Sequence, residues 1–170
     1  MDTILVAVVV LVLIIMSVLT MTFSMFQSAN TLGDSWKTME AQSISISETA
    51  ISTLVTGNYS GGLIDVAVQN EGRTNLYDYS RWDVILQYQS GDAFHLSYAE
   101  TYPPGSGEWT SEGIFMAGGA PEVFDPNILN PGEVMIVAIN PDMEIGIGKT
   151  ARIIISTPNG VTSQCFVTRE

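Results

Sequence analysis

The chain has 170 residues and a formal charge of −12, from 6 basic and 18 acidic side chains. That acidity, with no basic patch, excludes grip on a phosphate backbone, so nucleic acid is not an expected partner. One cysteine, Cys165, excludes an intrachain disulfide and a cysteine-based zinc site; set in Cys165-Phe166-Val167, it reads as a buried strand thiol.

The chain opens on an apolar block. Ile4 to Met16 (ILVAVVVLVLIIM) contains no polar side chain, and the apolar character continues, diluted by small hydroxyls, to Phe26. Such a segment needs lipid or a bundle of similar helices around it. No basic residue precedes the block and no small-residue cleavage site follows it, so a removable secretory signal is a poor reading. A basic leader cleaved just before Met1 is the expected history. The assembly core is expected at Ile4, Leu5, Val8, Val9, Leu11, Val12, Ile15, Leu19, Phe23 and Phe26.

No glycine or proline interrupts the chain before Gly33. Ala29, Leu32, Trp36, Met39, Ser43, Ile46, Ala50 and Leu54 follow at steps of three and four, which predicts that the helix continues, now amphipathic, to about Thr56. At 1.5 Å per residue it would be about 84 Å long, against ~30 Å of hydrocarbon in a bilayer, so its second half must pack outside the membrane.

A hydroxyl stripe runs along the same helix: Ser17, Thr20, Ser24, Ser28, Thr31, Ser35 and Thr38. Small hydroxyls allow close helix approach and can bond the carbonyl one turn back. The stripe therefore reads as a helix contact face, or as a solvated face at the membrane boundary.

Composition shifts at Gly57, giving two expected domains: residues 1–56, the assembly helix, and 57–170, a β head. Residues 57–62 are rich in turn formers and end the helical pattern. Seven β-type runs follow: Leu63–Gln69, Trp82–Gln89, Phe94–Ala99, Gly113–Ala117, Glu133–Ile139, Ala151–Ser156 and Val161–Val167. Turn formers such as Asn130-Pro131-Gly132 and Pro158-Asn159-Gly160 separate them. The expected fold class is α+β, with a long N-terminal hydrophobic helix and an antiparallel immunoglobulin-like β-sandwich.

Chemistry-bearing motifs are sparse. His95 has no second histidine to build a metal cluster and no nucleophile beside it, so it reads as an ordinary strand histidine. No phosphate-cradling or nucleophile-elbow motif occurs, and neither an enzyme nor a cofactor is expected. Asp142-Met143-Glu144 and Asp125-Pro126-Asn127 come nearest to calcium loops, without EF-hand spacing. Asn58-Tyr59-Ser60 is an N-glycosylation sequon, either used or a chance occurrence in a Ser/Thr-rich chain.

An uninterrupted apolar helix, extended amphipathically and leading to a β-sandwich, resembles an archaellin, the filament subunit of the archaeal motility organelle and a member of the type IV pilin superfamily. Val66-Ala67-Val68-Gln69-Asn70-Glu71-Gly72, Trp82-Asp83-Val84, Leu129-Asn130-Pro131-Gly132-Glu133 and Thr157-Pro158-Asn159-Gly160-Val161 are similar to the family's turn and hairpin motifs in the family's order. The resemblance implies an extracellular filament of identical copies, preceded by a membrane-inserted precursor. Its implied partners are other copies, membrane lipid before assembly, and the filament assembly and motor machinery. A membrane-anchored accessory or stator protein of the organelle, or an adhesive type IV pilin, fits the same architecture.

Overall fold

Apolar residues at every helical phase, with no breaker for thirty-two residues, give one long helix, α1, over Asp2–Glu48. A computed structural model of the chain describes residues 2–54 and 58–170. Two compact units divide at Ser43/Ile44. The first is helix alone. The second starts with the last turn of α1 and contains all the β structure.

The helix stops at Glu48, short of the expected Thr56, which itself lies outside the described residues. The reason is a competing set of hydrogen bonds. Glu71 and Gly72 donate their backbone N–H to the Ala50 carbonyl at 2.9 and 3.0 Å, and Arg73 N–H donates to the Glu48 carbonyl at 2.8 Å. The head thus takes over carbonyls that a continuing helix would have used internally. Ile51–Thr53 then forms a short strand, β1, paired with the end of β3 (Leu63–Asn70). The heptad positions Ala50 and Leu54 therefore lie past the helix.

The remaining strands are β2 (Asn58–Ser60), β4 (Asp83–Tyr88), β5 (Ala93–Tyr98), β6 (Glu108–Phe115), β7 (Val134–Asn140), β8 (Thr150–Ser156) and β9 (Thr162–Thr168). Each expected run has its strand. β6 begins five residues earlier than the sequence suggests, and β1 and β2 are additional. One layer is β1-β3-β7-β6 with β2 also on β3; the other is β5-β4-β8-β9. Pairing is antiparallel except between β5 and β6, which meet in parallel over only two pairs, Ser97↔Glu108 and Tyr98↔Trp109. At the opposite margin, Thr53 of β1 bonds β9: its N–H donates to Ser163 Oγ at 3.1 Å and its hydroxyl to the Gln164 carbonyl at 2.9 Å. The result is an α+β chain with a mostly antiparallel, barrel-like sandwich head.

Alternation explains the core. In β3, Ile64, Val66 and Val68 are fully buried while their neighbours are not, and β8 does the same with Ala151, Ile153 and Ile155. These residues meet Val84 and Leu86 of β4, Trp109 of β6 and Met135, Val137 and Ile139 of β7 in one core. Each full burial of such an aliphatic side chain is worth about 1.5–3 kcal/mol. Cys165 is buried in β9, as expected.

Candidate assembly surface

The ten expected assembly-core residues all lie on α1, and all are exposed, from about 50% at Val9, Val12 and Ile15 to 71% at Ile4. They lie within about 160° of the helix circumference, and Val6, Val10, Leu13 and Ile14, also exposed, fill the other side, so no single flat contact could cover the apolar surface. Hiding these ten side chains from water is worth roughly 15–30 kcal/mol, at the usual value per side chain. Residues 4–26 span about 35 Å of helix, enough to cross the hydrocarbon of a bilayer. The first charges beyond them are Asp34, Lys37 and Glu40. Leu32, Trp36 and Met39, further along the heptad, are equally exposed.

The hydroxyl stripe is folded onto its own backbone. Thr20 Oγ1 donates to the Met16 and Ser17 carbonyls at 3.0 and 2.9 Å. Ser28 bonds the Ser24 carbonyl, Thr31 that of Gln27, Ser35 that of Thr31 and Thr38 that of Asp34, at 2.8–3.0 Å. A hydroxyl satisfied one turn back is free of a need for water and leaves a narrow, methyl-sized surface. Such a helix suits an anhydrous host on its stripe side as well as on its aliphatic sides. The structure thus places Ser17, Thr20, Ser24, Ser28, Thr31 and Ser35 along one helix and internally satisfies several of them.

Where the helix exits, the head holds it by side chains. Asn159, in the β8–β9 turn, donates from Nδ2 to Thr49 Oγ1 at 2.7 Å and to the Ser45 carbonyl at 3.2 Å. Thr49 in turn donates to the Ser45 carbonyl at 2.8 Å. Asn70, fully buried, donates to the Thr74 and Leu129 carbonyls at 2.8 and 2.9 Å and accepts from Gly72 N–H at 3.0 Å. Gly72 is held so close that a Cβ there would lie 2.5 Å from the Glu48 carbonyl oxygen. Two of the motifs that carry the family resemblance, around Asn70–Gly72 and Thr157–Val161, thus build the helix exit.

The other candidates resolve into structural roles. His95, on β5, faces Asp83 of β4 at 3.1 Å, both largely exposed. Asp142 accepts from the Ser106 hydroxyl at 2.6 Å, and Glu144 pairs with Arg169 at 2.6 Å. No group of three or more His, Cys, Asp or Glu side chains converges among the described residues. Asn58 is the first residue of β2, opposite Asp65 of β3; its side chain lies outside the described residues.

One surface escaped the sequence reading. Val123 and Phe124 are 73% and 83% exposed, on the loop from β6 to β7. Its signal in the sequence is an apolar pair set between two acids, Glu122 and Asp125.

A long helix apolar on every side, its side chains exposed among the described residues, in a chain whose β-sandwich has its own core, fits one class of protein: subunits anchored or polymerised through an N-terminal helix. The chain belongs to the archaeal-type flagellin family, whose model matches residues 3–165. No curated protein matches it. Among solved structures it is similar to the archaeal flagellum of Methanospirillum hungatei strain JF1, at 16% identity over 94% of this chain and 90% of that one, with a TM-score of 0.52. It is also similar to the archaellum periplasmic stator protein FlaG from Sulfolobus acidocaldarius, at 21% identity over 69% of this chain and 98% of that one, with a TM-score of 0.53. The stator protein complex of FlaF and FlaG from the same organism matches at 20% identity over 68% of this chain and 86% of that one, with a TM-score of 0.52.

Proposed function

We propose that the chain is a structural subunit of an extracellular helical motility filament and that it polymerises through α1. Family membership supports the filament role. The observation that carries the mode of assembly is the exposed apolar surface of Ile4–Phe26. In this reading the segment has two successive hosts. Lipid holds it first, in a membrane-inserted precursor. Extraction then costs little, because neighbouring copies of the same helix offer an equally apolar environment. The β heads form the hydrophilic outer coat. A contact between copies that does not close into a ring generates an open filament. Force comes from separate assembly and motor machinery, and the chain itself is not an enzyme. A glycan on Asn58, tested by a mass shift on its peptide, would decorate the coat.

Electron microscopy of sheared cell-surface material, with mass identification of the filament protein, tests this. The chain is expected as a major filament component. A low-copy chain found only in detergent-solubilised membrane would instead make it an accessory protein, the second reading, which the head fold shared with FlaG supports.

A further inference from the structure

The head carries an apolar knob in one half and an apolar cavity in the other. The knob is Val123-Phe124. Glu122 holds it in shape: one carboxylate oxygen accepts the backbone N–H groups of Val123, Phe124 and Asp125 at 3.0, 2.6 and 3.2 Å. The loop springs from Phe115, opposite Val134, and Val134 lies opposite Gln69, just before the turn that binds Glu48 and Ala50. The loop folds back along β6, with Pro121 bridging Phe115 and the Glu122 N–H donating to the Ile114 carbonyl at 2.8 Å, so the knob lies beside the last residues of β6, in the half of the head nearer the helix exit. The cavity, of about 340 Å³, has Tyr88 and Ile145 as apolar walls and Gln89, Ser90, Lys149 and Thr150 at its rim. It sits at the start of β8, whereas the end of β8 leads to Asn159 at the helix exit. Seven strand residues, about 23 Å, separate the two ends.

We propose that Val123-Phe124 of one copy seats in the Tyr88–Ile145 cavity of the next copy along the filament. This rests on the filament reading. Three observations select a second copy as the occupant. A cavity of this size takes one aromatic side chain, and Tyr88 already packs edge-on against Phe94, with ring centres 5.7 Å apart, so an added ring extends an aromatic cluster. The charges match: the knob is flanked by Glu122 and Asp125 with no Lys or Arg between Arg81 and Lys149, and Lys149 is the cavity's charged residue and makes no ion pair among the described residues. The two surfaces lie in opposite halves of one head, so their union is head-to-tail and leaves a free knob and a free cavity at each step, the condition for an open run rather than a closed dimer.

Zero-length carbodiimide coupling of intact wild-type filaments tests the contact without any substitution. A peptide joining Lys149 to Asp125 or Glu122 is expected from filaments and not from detergent-dispersed single chains, where the two groups are too far apart to couple. Filaments that yield other links between copies but never this one would overturn the contact and leave the filament reading standing. Absence of the chain from any filament would overturn both. As a second measurement, Asp125→Cys combined with Gln89→Cys, which keeps the Phe124 ring, is expected to give a ladder of dimers, trimers and higher species on oxidation of filaments. Either single substitution is expected to give none. Filaments of the double variant that remain monomeric after oxidation would overturn the contact.

Discussion

Asn159 reaches Thr49 at 2.7 Å and so bonds the β8–β9 turn to the residue at which α1 has just ended. The residues are far apart in the chain, yet this contact and the backbone bonds from Glu71, Gly72 and Arg73 fix where helix becomes head. Asn159→Ala removes the side-chain donor and is expected to cost about 1–2 kcal/mol. Hydrogen exchange on the full chain in detergent checks this: the amides of Thr49 and Arg73 should lose protection before those of β3 and β8. Unchanged protection at Thr49 would show that Asn159 contributes nothing to the joint.

Gly72 supplies a stricter test of the same joint. A Cβ there meets backbone at 2.5 Å from Glu48 O and 2.6 Å from Ala50 N, and backbone cannot rotate away. Gly72→Ala should destabilise the head by about 3 kcal/mol, at the upper end of what overpacking costs. Gly118→Ala, with nothing within 4 Å of the added carbon, is the control and should be near neutral. Thermal unfolding of both variants, compared with wild type, gives the answer.

Much of this was legible in the chain. The alternation Ile64, Val66, Val68 maps onto side chains that are fully buried, because a strand with one face on a core must obey a period of two. The apolar block declares its need for a host because a helix apolar all round must be buried, in lipid or among other apolar elements. The helix end was misplaced because steps of three and four cannot register a carbonyl captured by a turn twenty residues later. Ala50 keeps the heptad phase, but its carbonyl serves Glu71 and Gly72. The start of β6 was hidden for another reason. Glu108-Trp109-Thr110-Ser111-Glu112 reads as polar, yet Trp109 is fully buried and Thr110 nearly so. A register shift between Ser111 and Gly113 breaks the alternation that would have revealed the strand. The knob at Phe124 gave no periodic signal at all, since it lies in a loop.

The Glu122 cradle should respond to acid. Hydrogen bonds from the N–H groups of Phe124 and then Asp125 hold the Glu122 carboxyl below its ordinary value of 4.5. For an acid depressed in the folded state, the contribution is complete above the unfolded value and is lost as pH falls through the lower folded value. The loop should therefore keep its shape above the ordinary carboxylate value of 4.5 and loosen only as pH falls below it. A titration of the Phe124 amide proton shift should show that acid transition in wild type and not in Glu122→Gln. A transition of the same midpoint in the variant would assign it to another group.

Charge in the helix should block assembly without unfolding the head. Val9→Asp or Leu11→Asp places a carboxylate among side chains whose proposed hosts, lipid and then other helices, offer no partner, at a cost of several kcal/mol per copy. The β-sandwich lies in a separate compact unit and should remain protease-resistant. Loss of filaments with an intact head is the expected outcome. Normal filaments from either variant would count against burial of α1.

The most direct measurement is a helical reconstruction of filaments sheared from cells and shown to contain this chain. Ile4–Phe26 of neighbouring copies are expected to pack against one another along the filament axis, with the β heads outside. A filament held together by its heads, with these side chains still exposed or turned away from one another, would contradict this.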